Sequence, residues 1–331
     1  MKTPRRRKKK SELEHDHLFR GAFSLKPIVQ AHLLEALSPE TVAALELDSL
    51  ELASETYING DLKAAFSDVV WKCRLKSGEE VVIALLFEHK SDLPEQPIFV
   101  QLLQYLLGIW QKDLAGKRPL TFVLPIIVYH GQRNWKVRKF WSYFDGFPET
   151  LRPYLPEFEY VLSDLARIPD DLIKTKEQMG ALRSLYLAFK YAFDAAAMQE
   201  NFQDFFIFVG SSGNPYLDDL LIEMLLSYVQ KRTVLEPYQL LELINSLPDK
   251  SKSKVMSTYE KTAAKFRKQG IEQGIEQGIE QGIEQGIELK NRKFVVNLIK
   301  STDWDDEKIA LIADADISFV QNIRATIQGN G

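Results

Sequence analysis

Asp68, Glu88 and Lys90 form the pattern Asp-x(19)-Glu-x-Lys. They sit in two β-rich runs, FSDVVWKCRL and EVVIALLFEHK, joined by KSGE. The second run is apolar from Val81 to Phe87 and then ends abruptly in Glu88-His89-Lys90. Ionisable groups at the mouth of a buried strand are costly unless they are paired or hold an ion. A three-residue loop, Ser77-Gly78-Glu79, sets Asp68 directly opposite Glu88, with Cβ atoms about 4.5–5.5 Å apart. Lys90, two residues on, shares that face. A two-residue loop at Ser77-Gly78 puts the two acids on opposite faces instead. Opposed carboxylates destabilise a sheet, and a divalent cation removes the conflict, since Mg²⁺ takes one or two carboxylates and keeps several waters. Lys90 would then stand beside a metal-bound water and stabilise charge as a phosphodiester is attacked. The alternative is structural: Asp68 starts a strand, and Glu88 and Lys90 form an ordinary ion pair.

Such a site needs a scaffold, and the hydrophobic periodicity supplies one. Residues 12–37 read as helical with a break near Pro27, and Leu18, Phe19, Ala22 and Phe23 share one face. A turn-rich stretch containing SPET and YINGDL follows. In the first β run Val69, Trp71, Cys73 and Leu75 face one way, and Asp68, Lys72 and Arg74 the other. The second run, apolar throughout, belongs in the middle of a sheet. PIFVQLLQYLLGIWQKDL is a helix opened by Pro97. LTFVLPIIVYHG is a further strand whose Pro125 suggests an edge or a bulge, and EFEYVLS is a weaker one. Beyond residue 165 only helical spacing remains, over 170–197, 199–210, 215–231 and 235–247. The order implies an α/β core of about 150 residues with an all-helical extension.

The words around the triad carry a resemblance. HDHLFRGAFS, AAFSDVVWKC, LLFEHKSD, QLLQYLLGIW and LPIIVYHGQRNW occur in this order, and the chain resembles the bacterial recombination-promoting nuclease (Rpn) family, also called YhgA-like transposases, of the PD-(D/E)xK nuclease superfamily. The likeness covers roughly residues 12–165 strongly and the tail loosely. It implies a restriction-endonuclease-like fold, a mixed central sheet flanked by helices. It also implies Mg²⁺- or Mn²⁺-dependent DNA endonuclease activity linked to recombination. By position, Asp68 and Glu88 resemble the metal ligands, and Lys90 fills a place where many members have Gln. Gln101 and Tyr105 have the Gln-x(3)-Tyr spacing found after the core in some related nucleases; one turn apart, they reach one site or pack on the sheet. The competing reading is a DNA-binding or scaffold protein that keeps the fold without catalysis. A three-acid transposase site on an RNase-H-like sheet fits poorly with Lys90.

Of His15, Asp16 and His17, only one or two can reach a common ion, because successive helix residues do not share a face. Asp16 approaches the site from the N-terminal helix or serves as a cap or surface residue. His89 points away from Glu88, and His130 ends a strand. Asp164, at the end of the weak strand, is an acid of the site or, more simply, a helix N-cap. Serine-nucleophile, Walker and Rossmann patterns are absent.

The chain has 331 residues, 45% hydrophobic and 11% aromatic, with a net charge of −4. That is enough for a real core, and it confines any nucleic-acid surface to a local patch. A single cysteine, Cys73, rules out an internal disulfide and suits a reducing cytoplasm. No apolar run reaches a membrane span. Residues 1–11 form a basic arm, either solvated or holding phosphates. Residues 12–165 make the nuclease-like core and 166–260 the helical extension. Residues 261–289 are a helical spacer with tandem GIEQ repeats, and 290–331 a C-terminal helix pair that favours protein contact over DNA reading. In the repeat, glutamates and isoleucines recur every four residues, so each copy turns the stripe by about 40°. Its glycines cost about 1 kcal/mol each relative to alanine, which calls for a partner and suggests a homodimer through residues 261–331.

Overall fold

The computed structural model describes residues 10–53, 69–88, 97–144, 146–175, 180–209 and 214–329. YINGDL, Asp68, His89 and Lys90 lie outside them. Two units divide the chain, 1–259 and 260–331.

The first unit opens with α1 (Lys10–Phe23), α2 (Lys26–Ala36) and α3 (Pro39–Ala44). The break falls at Ser24-Leu25, where Pro27 enters the first turn of α2; proline there removes no needed N–H. Ser38 caps α3 by accepting from the Thr41 N–H at 3.2 Å. The strands are β1 (Leu45–Leu52), β2 (Val69–Leu75), β3 (Glu80–Glu88), β4 (Phe122–Tyr129) and β5 (Val161–Asp164). They form one sheet in sequential order. The first three are antiparallel, and β4 and β5 run parallel to β3. The fold is thus mixed α/β and rich in helix. The apolar strand β3 is the third of five.

The hairpin closes one residue earlier than Ser77-Gly78-Glu79. The Leu75 N–H donates to the Glu79 carbonyl at 2.7 Å across Lys76-Ser77-Gly78, and the Gly78 N–H donates to the Leu75 carbonyl at 2.9 Å. Gly78 takes φ +105°, the left-handed position that ends a three-residue hairpin loop and that glycine fills without strain. Val69 therefore faces Leu85, not Phe87. The register expected to set position 68 directly opposite Glu88 is therefore not the one that β2 and β3 adopt; the displacement is two residues, so even-numbered residues of the two strands still share a face.

Pro125 also departs from expectation. β4 is an interior strand, flanked by β3 and β5. β5 pairs only from Ile126 onward, so Pro125 sits where one side of β4 is still unpaired, and the missing N–H is tolerated there. β1 was not foreseen. Its leucines at 45, 47, 50 and 52 alternate with polar residues except for one slip, and the pairing with β2 shifts at that slip, between Glu46 and Glu51.

Both faces of the sheet are covered. Leu18, Phe19, Ala22 and Phe23 of α1 are buried against Val69, Trp71 and Cys73 of β2, and the Trp71 indole N–H donates to the Phe23 carbonyl at 2.8 Å. The same core takes in residues from α6 (Gly180–Lys190) and α8 (Pro215–Thr233), which follow α5 (Asp170–Thr175) and, for α8, the short α7 (Ala195–Glu200). The helices after residue 165 therefore share one core with the elements before it. On the opposite face lies α4 (Ile98–Ala115), the crossover between β3 and β4. Its Ile98, Phe99, Leu102, Tyr105, Leu106 and Ile109 form a helical stripe packed with Val70, Val123, Ile127 and Tyr129. α9 (Pro237–Asn245) and the 53-residue α10 (Asp249–Ser301) complete the run.

In the second unit the repeat is helical. Ile271, Ile275, Ile279, Ile283 and Ile287 are each 55–59% exposed, and a Cβ added at any repeat glycine would meet open space. α11 (Asp306–Ala313) and α12 (Ile317–Gly329) pack through Val295, Ile309, Ala310, Val320 and Ile323. Arg324 donates to Asp306 at 2.7 Å and to the Trp304 carbonyl, so its guanidinium braces the pair. No described helix is long and apolar enough to cross a membrane.

His32 gives the first unit an acid weakness. It is fully buried, with Nδ1 at 2.6 Å from the Tyr186 hydroxyl, and burial lowers its pKa to about 3. The unfolded chain binds this proton at about 6.5, so the stability that rests on neutral His32 is full above that pH and drains as pH falls from about 6.5 towards 3. His32→Gln should flatten this dependence, whatever it does to stability at neutral pH. Urea midpoints measured across that range check it.

Candidate active site

The parallel half of the sheet sets its strand ends side by side. Glu88 of β3 pairs with Tyr129 of β4, and Tyr129 pairs with Asp164 of β5. Three neighbours in register thus form one row at the carboxyl ends of three parallel strands, on the face covered by α4. In open α/β sheets the crevice outside such ends is where ligands bind. Glu88 is known here by its strand position; its side chain, like Asp68 and Lys90, lies outside the described residues.

Tyr129 is fully buried. Its hydroxyl donates to the Arg133 carbonyl at 2.9 Å. Burial, then the charge of Asp164, pushes its pKa up. Asp164 stands at the N-cap of a short turn, Leu165–Arg167. Its side chain is 13% exposed, and Arg167 lies at 4.0 Å from Oδ2. Oδ1 is buried with no hydrogen-bond partner. Burial raises the Asp164 pKa, and Arg167 only partly offsets this. A desolvated carboxylate at a strand end has the marks of a functional group, while the backbone N–H groups of Ala166 and Arg167, which favour its charged form, suit the simpler cap role.

Gln101 and Tyr105 lie one turn apart on α4 and are both buried. They point into the layer that covers the row, and the Gln101 Oε1 is buried without a partner. Asp16 is buried too, but on α1, in the opposite layer from Gln101 and Tyr105. Its neighbour His17 is exposed, so the His15-Asp16-His17 run does not converge. His15 Nδ1 lies 2.6 Å from the Tyr228 hydroxyl, and its ring stacks obliquely on His130 at 4.8 Å. His130 Nδ1–H donates to the Phe189 carbonyl at 3.2 Å. Both histidines serve the helical layer. Among the described residues no three His, Cys, Asp or Glu side chains gather around one point. Tyr129 was missed in the sequence; its signal, a tyrosine ending an apolar strand, is common to any buried strand.

A hairpin feeding a parallel strand through a covering helix, with two carboxyl-bearing residues at the strand ends, defines a mixed α/β protein with a candidate site at the carboxyl ends of its parallel strands. The family model described as "Putative transposase, YhgA-like" matches residues 13–211, and the chain belongs to this Rpn/YhgA-like family. It is 29% identical over 176 residues to "Recombination-promoting nuclease RpnD" of Escherichia coli O157:H7, covering 51% of this chain and 65% of that protein. It is 29% identical over 178 residues to "Recombination-promoting nuclease RpnA" of Escherichia coli K12, covering 53% and 60%. It is 27% identical over 177 residues to "Inactive recombination-promoting nuclease-like protein RpnE" of the same strain, covering 51% and 56%. The chain therefore spans under two thirds of the length of these relatives. No solved structure matches it.

Asp164 gives the site a measurable cost. A carboxyl whose pKa is raised on folding opposes folding once pH exceeds its ordinary value of about 3.9, and the cost is complete above its folded pKa. Asp164→Asn should raise the urea midpoint at pH 7, with the gain vanishing below about pH 4.

Proposed function

We propose that this chain is a metal-dependent DNA endonuclease that hydrolyses phosphodiester bonds in recombination or mobile-element processing, on a restriction-endonuclease-like core. The observation that carries the reading is Glu88 at the carboxyl end of the central strand, in register with Tyr129 and Asp164. The hairpin supports it further, because its pairing assigns even-numbered residues of β2 and β3 to one face, the parity that Asp68 and Glu88 require. Two relatives are named recombination-promoting nucleases.

On this reading Asp68 and Glu88 hold Mg²⁺ or Mn²⁺. A donor set of carboxylate oxygens suits these hard cations, and a second carboxyl, Asp164, stands in the same row. When bound, such an ion polarises the phosphodiester and its attacking water. Lys90 stabilises negative charge developing on the phosphate. Gln101 and Tyr105 order the covering layer, and Asp16 is an accessory from the opposite layer. The exposed isoleucines of the repeat support a homodimer through residues 261–331.

Some relatives are named inactive, which favours a second reading, a DNA-binding scaffold that keeps the fold without cutting. Supercoiled plasmid separates the two. Wild type should nick or cut it with Mg²⁺ or Mn²⁺ and not in EDTA, and Asp68→Ala or Glu88→Ala should reduce cutting to background. Full activity in either variant removes the site assignment, and an inert wild type favours the scaffold. Deleting two GIEQ copies should weaken self-association, read by sedimentation, and leave cutting per active site in place.

A further inference from the structure

The strand β4 does not simply stop at Tyr129. It runs into a loop, residues 131–139, whose composition differs from the rest of the chain. Arg133, Lys136, Arg138 and Lys139 are all exposed, and residues 130–144 contain no aspartate or glutamate. In a chain of net charge −4 this is a local basic patch.

The loop is also pinned. Trp135 is 7% exposed, packs edge-on against Tyr129 at 4.9 Å, and its indole N–H donates to the Tyr160 hydroxyl at 3.1 Å. Phe140, 8% exposed, packs on Phe99 of α4 at 5.3 Å. Between these anchors Lys136, Val137, Arg138 and Lys139 face solvent. At its start the Arg133 carbonyl takes the Tyr129 hydroxyl hydrogen bond. Tyr129 is the in-register neighbour of both Glu88 and Asp164. The loop therefore begins one hydrogen bond from the acidic row. Glu157, an acid that feels Lys139, is engaged by Arg152 at 2.7 Å.

An unanchored basic stretch is an ordinary solvated segment. Here two buried aromatics hold three cations beside the strand ends, so little ordering entropy is left to lose on binding. We infer that residues 131–139 are the clamp that binds the DNA phosphate backbone next to the acidic row, with Lys136, Arg138 and Lys139 making the phosphate contacts. Positive charge beside a row of acids lets a polyanion approach groups that would otherwise repel it. Because such contacts read phosphates rather than base edges, they position the duplex without selecting its sequence. The inference rests on the nuclease reading for what the clamp presents to the strand ends, but its binding can be measured without any cutting.

The probe is a short fluorescent DNA duplex, titrated in EDTA by anisotropy between about 50 and 200 mM salt. Each phosphate contact contributes a slope of about −0.9 in log affinity against log salt. The triple variant K136A/R138A/K139A should make the slope shallower by about 2.7 and bind the duplex at least about tenfold more weakly. Arg138→Ala alone should change the slope by about 0.9, a readout that survives if the triple variant folds poorly. The variant K136R/K139R, which keeps the charge, should bind like wild type. Wild-type affinity and slope in the triple and single variants would overturn the clamp, as would a wild type that does not bind the duplex. If the variants bind normally while wild type cuts with Mg²⁺, the clamp falls and the nuclease reading stands. If they lose binding while wild type cuts with neither Mg²⁺ nor Mn²⁺, the nuclease reading falls and the clamp stands.

Discussion

A central strand with no polar side from Val81 to Phe87 has to be covered twice, and the architecture of the first unit follows from that demand. Each apolar face left in water would cost roughly 25 cal/mol per Å². One cover comes from α4, the crossover that parallel pairing of β3 and β4 requires in any case. The other comes from α1, α6 and α8, which is why helices more than a hundred residues downstream share a core with Phe19 and Trp71. Burial on both sides also fixes where chemistry can stand. A charge in the middle of such a strand would be stranded between two covers, so polar residues stand only at its two ends, Glu80 and Glu88. The same limit places Asp164 at the end of β5 and the basic loop at the end of β4.

Much of this was legible in the sequence because it depends on periodicity. The stripe on α1, the alternation in β2, the unbroken apolar run of β3 and the helix after Pro97 each repeat a hydrophobic period long enough to be read. Elements set by pairing were harder to read. β1 alternates, but its slip between Glu46 and Glu51 breaks the period that would mark it. The hairpin loop is left open between Ser77-Gly78-Glu79 and Ser77-Gly78 by the sequence, and the left-handed Gly78 selects a third closure, Lys76-Ser77-Gly78. Pro125 suggested an edge, and β4 proved interior because the length of its neighbour β5 decides which backbone groups need partners.

The candidate site was legible in part, for a related reason. Residue type and spacing point to Asp68, Glu88 and Lys90, but the alignment of Glu88 with Tyr129 and Asp164 depends on the parallel register of strands separated by a crossover helix. No local pattern encodes that register. Buried polar groups are equally silent: His15 reads as a candidate ligand by type, and packing makes it, like His32 and His130, a hydrogen-bonded member of a buried core.

The repeat in the second unit has a geometric consequence of its own. A four-residue copy does not close a whole number of helical turns. Adding or removing one copy lengthens the helix by about 6 Å and also rotates its far end by about 40°. Within this unit the number of copies therefore works as the pitch of a screw, coupling advance to rotation. About nine copies would be needed before α11 and α12 faced their original direction again. Each intermediate length presents Leu311, Ile312 and Ile317, all substantially exposed, on a different bearing relative to the first copy of the repeat.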